Sequence, residues 1–348
     1  MKVETIVLNK ERNVTLTAFI QETGGKEFPR VKRRPSVLVL PGGGYDMCSA
    51  TESEPVALGY AKAGFQAFVL RYSVKEHKAW PNPLNDYEQA MELIKKNSEK
   101  WNLYKDKIAV VGFSAGGHLA GCAATIAKNR PDAAILVYAV LSNKGLHNLV
   151  AAEDAPVNKV DGKTPPCFFV QARDDMLVSP KHSLDFQQAL LEKGITFESH
   201  IYAYGGHGFA SAERSLLITR CCNRLVKWID DSIEWLKDIF GDFGNGELGK
   251  PRIGKHITDD AEPYFSVDCT AIHLLKYEKL LGEEFAKPLQ LIFTVLPEGV
   301  PKEAIFALGA IVRLREVLLA KGFSEAEIEA IDEKMRKIPN AAAAKQEK

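Results

Sequence analysis

The residues with the most direct chemical reading in this sequence are Gly112-Phe113-Ser114-Ala115-Gly116, a serine framed by glycines. A serine hydroxyl is a poor nucleophile at neutral pH. It works only with a base in hydrogen-bond reach and a carboxylate that orients the base. It must also be exposed, which a sharp strand-to-helix turn achieves when the flanking residues are no larger than glycine. Ile108-Ala109-Val110-Val111 reads as the strand before Ser114, and Gly117-His118-Leu119-Ala120 opens a helix after it. With that context on both sides, the pattern predicts a nucleophile on an elbow rather than a glycine-rich turn with an idle serine.

Attack on a carbonyl also needs donors for the developing oxyanion. The amide of Ala115 supplies one, and Pro41-Gly42-Gly43-Gly44-Tyr45, directly after a strand ending at Leu40, supplies another through Gly43 or Gly44. Three consecutive glycines are costly in backbone entropy and suggest close approach to the main chain. A phosphate cradle is the rival reading. However, no Gly-Lys-Ser/Thr follows, and the spacing G-x-G-x-x-G is incomplete.

Eight histidines compete for the base: His77, His118, His147, His182, His200, His207, His256 and His273. After an elbow of this kind the acid and then the histidine follow in loops beyond the last strands. That order selects His207, in Gly206-His207-Gly208-Phe209, and leaves His118, His182 and His200 as packed or solvated side chains. The acid falls in Arg173-Asp174-Asp175-Met176-Leu177-Val178, where turn geometry favours Asp175 with Val178 as apolar anchor and Asp174 as the alternative. Tyr45, Phe113 and Trp80 neighbour these motifs and are candidate pocket residues.

The elements that must hold these groups are legible as patterns. Lys2 to Leu8 and Val14 to Ile20 alternate and predict an antiparallel pair. Ser36 to Leu40, Gln66 to Tyr72, Ile108 to Phe113, Ala134 to Val140, Cys167 to Ala172 and Phe197 to Tyr202 read as strands buried on both faces. Helical segments at Glu54 to Ala63, Asn85 to Lys100, Gly116 to Lys128, Lys181 to Glu192 and Ala212 to Phe240 separate most of them, which predicts a mostly parallel sheet. A glycine-dense break at Gly241 to Gly249 marks a boundary. It gives a catalytic domain over 1–240, a linker over 241–256 and a helical region over 257–348. In that last region Gly322 ends a helix carrying Leu308, Ile311, Val312, Leu318 and Leu319. Ser324 and Glu327 then form a capping box, with Phe323 and Ile328 as its staple.

A hydrophobic share of 46% in 348 residues supports a sizeable core and excludes disorder throughout. Forty-five basic residues balance forty-five acidic ones, so no net field draws nucleic acid or an anionic membrane, and a small neutral substrate fits better. The first residues lack the apolar core of a signal peptide and no stretch is apolar enough to span a bilayer, which predicts a cytoplasmic protein. Six cysteines without CxxC spacing read as free thiols rather than disulfides or a metal site. The chemistry calls for no metal or organic cofactor.

Taken together, the motifs resemble the alpha/beta-hydrolase superfamily, within it the small acetyl-esterase and acetylxylan-esterase-like hydrolases related to the hormone-sensitive lipase branch. The likeness is carried by Pro41 to Tyr45 with Ser49-Ala50-Thr51-Glu52-Ser53-Glu54-Pro55 behind it, Gly112 to Ala120, Asp175 to Val178, and Gly206 to Phe209. It covers about Val37 to Phe240. The resemblance implies an α/β-hydrolase fold, a mostly parallel sheet flanked by helices, here with a C-terminal helical appendage. It also implies a Ser114, Asp175, His207 triad, with Gly43, Gly44 and Ala115 around the oxyanion. The implied activity is a carboxylesterase acting on short acyl groups such as acetate, with acetylated xylo-oligosaccharides among the substrates. Pro41 stands where lipase relatives carry histidine, and the chain between Val140 and Pro165 is short beside relatives with a lid there. The tail after Phe240 matches nothing in that family. It reads as an appendage packed on the core or on a second copy in a homo-oligomer, with a lid over Ser114 as the sharper alternative. An aminopeptidase or formamidase would keep the same triad, and a non-catalytic binding module on this fold is the remaining rival.

Overall fold

The apolar runs of the sequence become one eight-stranded sheet in a computed structural model that describes residues 1–26, 30–142, 155–213, 215, 220–242, 248–255, 260, 264–294 and 312–340. The strands are β1 (Lys2–Asn9), β2 (Val14–Ile20), β3 (Arg34–Leu40), β4 (Gln66–Arg71), β5 (Leu103–Phe113), β6 (Ala133–Val137), β7 (Cys167–Ala172) and β8 (Phe197–Tyr202). They lie side by side in the order β1-β2-β4-β3-β5-β6-β7-β8. β1 pairs antiparallel with β2 and β2 with β4, and every pairing from β4 to β8 is parallel.

Strands β3, β6 and β7 are buried along their whole length. That requires a helical layer on each face and explains why they read as unbroken apolar runs. The two-residue period sorts their side chains. Leu38, Leu40, Val110, Leu136 and Phe169 enter one core with Tyr87 and Met91 of α2 (Asn82–Lys96), Leu119 of α3 (Ser114–Thr125) and Phe186 of α4 (Lys181–Glu192). Val37, Val39, Val111, Ile135 and Phe168 enter the other, with Val56 and Tyr60 of α1 (Glu54–Lys62) and Trp228 and Leu236 of α5 (Trp228–Phe240). Each such fully buried side chain contributes about 1.5–3 kcal/mol, so sheet and helices stabilise one another far more than helix propensity does.

Two expectations need correction. The last helix of the sheet domain runs only over Trp228–Phe240 rather than from Ala212. Ahead of it, the Cys222 amide bonds the Tyr204 carbonyl and Leu225–Lys227 forms a single 3-10 turn, so packing against the chain after β8 overrides the helical pattern. The strand predicted to reach Val140 ends at Val137, because Tyr138 turns with φ 35°.

The chain divides into two compact units, Met1–His256 and Ile257–Lys348. Residues 252–255 bond the first unit: the amides of Arg252 and Ile253 reach the Asp238 carbonyl, and the Thr196 amide reaches that of Lys255. The second unit has α6 (Ala271–Lys276), α7 (Glu278–Leu281), α8 (Ala286–Leu291), α9 (Leu314–Ala320) and α10 (Glu325–Met335). Their buried faces meet in a separate core that includes Phe265, Leu274, Phe285, Leu289, Leu318, Ile328 and Met335. Ser324 and Glu327 form the reciprocal capping box, and Gly322 sits at φ 83° after α9. Leu308 and Ile311, assigned to that helix from the sequence, lie outside the described residues, and Val312 precedes the helix, because Arg313 is extended in a bridge with Thr270 and α9 begins at Leu314. His147, His256 and residues 243–247 of the linker also lie outside the described residues. Among the described residues no helix is long and apolar enough to cross a membrane.

Candidate active site

All the candidate chemistry gathers at one end of the sheet, because β3, β5, β7 and β8 are parallel and their C-terminal ends share that edge. The order reverses at β3, where the chain runs out to β4 and returns to β5, the kind of switch point that opens a crevice beyond the strand ends.

Ser114 stands at the start of α3, directly after extended Phe113, with φ 49°. A side chain other than glycine in that left-handed region carries strain of order 1 kcal/mol or more, and persists where its surroundings dictate it. Here the glycines dictate it. A Cβ on Gly116 would strike the carbonyls of Leu40 and Pro41, and one on Gly112 would strike Gly116 O and Ala120 Cβ, so only glycine lets α3 settle against the loop after β3. The Ala115 amide lies in the first turn of the twelve-residue α3, where N–H groups have no partner within the helix and the helix dipole favours negative charge.

His207, after β8, brings Nε2 to 3.0 Å from Ser114 Oγ. Its Nδ1 lies 2.8 Å from Oδ2 of Asp175, after β7. The Asp175 side chain is fully buried. Its Oδ1 accepts the amides of Leu177 and Val178 at 2.9 Å each, and Gln171 Nε2 donates to Oδ2 at 3.2 Å. Val178 is itself buried and anchors the turn. The adjacent Asp174 does something else: its Oδ1 accepts the amides of Gly205 and Gly206 at 2.8 and 2.9 Å, tying the histidine loop to the acid loop. Those two amides hold the Asp174 carboxyl below its ordinary pKa.

The other described histidines are engaged elsewhere. His118 is fully buried, with Nδ1 2.8 Å from the Tyr45 hydroxyl, and burial drives its pKa down to about 3. His182 Nδ1 accepts the amides of Leu141 and Ser142, His200 meets Glu198 at 2.7 Å, and His273 meets Asn340.

In the glycine loop the Gly42 amide is already taken by Glu52 Oε2 at 2.7 Å. Gly43 and Gly44 turn with φ 124° and 64°, and among the described residues neither amide has a protein acceptor. Of the aromatic pocket candidates, Tyr45 and Phe113 prove to be core. Tyr45 is fully buried against Tyr72 and His118, and Phe113 is fully buried between Tyr138 and Trp228. Trp80 is half-buried, with its ring 5.3 Å from that of His118. Among the described residues no three His, Cys, Asp or Glu side chains are grouped to hold a metal ion.

Sequence reasoning assigns no role to two residues of the site, Glu52, which lies within the stretch behind the glycine loop, and Tyr138. The Glu52 carboxylate is buried under the glycine loop and receives the Tyr138 hydroxyl at 2.6 Å. The Tyr138 ring lies 4.7 Å from that of His207. Nothing local separates Glu52 from Glu54, which pairs with Arg71 at the surface.

A sheet in this order, with a serine on its elbow and an acid and a histidine on its last loops, defines a class. The chain belongs to the alpha/beta hydrolases. MGS-M1, an alpha/beta hydrolase enzyme from a Medee basin deep-sea metagenome library, is 38% identical and superposes with a TM-score of 0.64 over 69% of this chain and 98% of that one. The BD-FAE family matches residues 28–150 and the prolyl oligopeptidase family residues 143–237. Among curated relatives, endo-1,4-beta-xylanase B of Butyrivibrio fibrisolvens is 34% identical over 52% of this chain and 33% of its own length. The acetylxylan esterase of Xylanibacter ruminicola is 30% identical over 50% of this chain and 41% of its own. The chain thus spans well under two thirds of either.

Proposed function

We propose that the protein is a serine carboxylesterase that removes short acyl groups, acetate foremost, from sugar esters such as acetylated xylo-oligosaccharides. The observation that carries the reading is the unbroken relay from Ser114 Oγ to His207 Nε2 at 3.0 Å and from His207 Nδ1 to Asp175 Oδ2 at 2.8 Å. In this reading Asp175 holds the proton on Nδ1, leaving Nε2 as an acceptor for the Ser114 proton. Ser114 Oγ attacks the ester carbonyl, and the oxyanion receives the amides of Ala115 and of Gly43 or Gly44. His207 then returns its proton to the departing alcohol, and water attacks the acyl-enzyme by the same route. Similarity to the Xylanibacter ruminicola acetylxylan esterase supports the choice of acyl and alcohol.

A second reading, an aminopeptidase-type amide hydrolase with the same triad, is favoured by the prolyl oligopeptidase match over residues 143–237. One panel of acetylated xylo-oligosaccharides, a short aryl acetate, longer aryl esters and aminoacyl amides separates the two. Turnover on the acetyl esters with none on the amides is expected, and the reverse overturns the esterase. Ser114→Ala should reduce turnover by a factor on the order of 10⁶ and abolish fluorophosphonate labelling. An alanine variant that still hydrolyses the aryl acetate refutes the assignment of Ser114.

A further inference from the structure

Glu52 is a carboxylate that the scheme above leaves unused, although only 5% of its surface is exposed. Its Oε2 accepts the Gly42 amide and its Oε1 the Tyr138 hydroxyl. The Tyr138 oxygen accepts the amide of Ala210 at 3.1 Å, which commits the phenolic proton to Glu52. Two donors aimed at the two oxygens suit an ionised carboxylate. Among the described residues no lysine or arginine is paired with it, and the one cation-forming group acting on it is His207. Burial pushes its pKa up, while the Tyr138 hydroxyl, the Gly42 amide and the charge of His207 oppose that push.

These bonds join three loops. Gly42 abuts the nucleophile so closely that a Cβ on it would stand 3.0 Å from Ser114 Cβ. Tyr138 lies beside the rings of His207 and Phe209, at 4.7 and 4.5 Å between centroids. Ala210 continues the chain from His207. We propose that Glu52 is a positioning residue: through Gly42 and Tyr138 it holds the oxyanion loop and the histidine loop in register, and its charge favours the imidazolium formed as Ser114 attacks. This rests on the reading of Ser114 as nucleophile.

The other titratable groups around Glu52 are Cys48 and Tyr72, and Asp175 faces Tyr138 and His207. Burial pushes the Cys48 thiol up to about 11 and Tyr72 well above its ordinary value, so both stay neutral through the range where histidine titrates. Asp175 is common to every variant below.

The test uses the full chain as wild type, Glu52→Gln, Glu52→Asp and Tyr138→Phe. The rate of fluorophosphonate labelling is followed against pH, with kcat and KM on a short aryl acetate and thermal unfolding of each variant. Glu52→Gln should lower kcat and the labelling rate on the order of tenfold to a hundredfold with KM little changed. It should also move the acid limb of the labelling profile down by about half a pH unit, because the imidazolium loses a negative neighbour. Glu52→Asp, which keeps the charge, should restore the limb, and Tyr138→Phe should slow labelling without moving it. A Glu52→Gln protein with the wild-type rate and limb overturns the proposal and leaves Ser114 intact, and so do losses that merely track the folded fraction. Tyr138→Phe decides even when Glu52→Gln fails to fold, since an unchanged rate there removes the bridge between the loops. A folded wild type that does not label at Ser114 overturns both readings.

Discussion

Replacing Asp175 with asparagine separates the two neighbouring aspartates, and its effect follows from the donors around the carboxylate. Oδ1 accepts two main-chain amides, from Leu177 and Val178, whereas Oδ2 faces His207 Nδ1 and one donor of Gln171. An asparagine keeps one oxygen. Turning its NH₂ toward the two amides sets it against two donors, while turning it toward His207 sets it against only the Gln171 donor. Each buried donor left without an acceptor costs about 1–3 kcal/mol, so the second orientation wins by roughly that amount. The NH₂ then donates to Nδ1, and the imidazole proton moves to Nε2, where it points at Ser114 Oγ and cannot accept. On the proposed mechanism the base is lost with the geometry intact, which corresponds to a fall in kcat of about 10⁴, on the order of 5 kcal/mol of barrier. Asp174→Asn is the control. Asp174 is exposed and its two amide partners are equally well served by an amide oxygen, so that variant should lose less than about tenfold. The assay is turnover of a short aryl acetate, with a melting curve for each variant. An Asp175→Asn protein retaining more than about a tenth of wild-type activity, or an Asp174→Asn protein falling as far as it does, refutes the argument.

Gly42→Ala should be severe for a residue that donates nothing to the substrate. Its methyl would stand 2.8 Å from both Glu52 Oε2 and Phe113 O, so we expect a loss of about 1–3 kcal/mol in denaturant unfolding and a fall in kcat on the order of 10². His118 makes stability acid-sensitive. It is held neutral in the fold with a pKa of about 3 against an ordinary 6.5, so the unfolded chain binds the extra proton; stability is full above about pH 6.5 and erodes as pH falls toward about 3. At about pH 5 the loss is on the order of 2 kcal/mol, and His118→Gln, less stable at neutral pH, should show a flatter melting temperature between about pH 7 and 5. Parallel curves for the two proteins exclude His118 as the source.

What the sequence disclosed and what it withheld divide along the range of the interactions. Ser114, its strand and its helix are contiguous, so the elbow could be read from a dozen residues, and the chain order beyond the last strands singled out His207. The preference for Asp175 over Asp174 rests on the turn after the strand, in which the apolar Val178 three residues on serves as its anchor. Glu52 and Tyr138 could not be found that way, because their bond spans 86 positions and exists only once β3 and β6 have taken their places in the sheet. The same holds for the shortened last helix, where a bond from Cys222 to Tyr204 displaces a locally helical pattern. Tyr45 and Phe113 sit next to the motifs in sequence, yet adjacency says nothing about which side of the loop a ring takes, and both face inward.

The left-handed backbone at Ser114 sets the proposed nucleophile against the interest of the fold. Glycine adopts that conformation at little steric cost, so a glycine at position 114 would relieve the strain while erasing the proposed nucleophile. On the proposed mechanism, selection for heat resistance alone would therefore favour an inert protein at this position. A stabilisation campaign on this hydrolase has to count turnovers as well as melting temperatures, because at residue 114 the two rankings run in opposite directions.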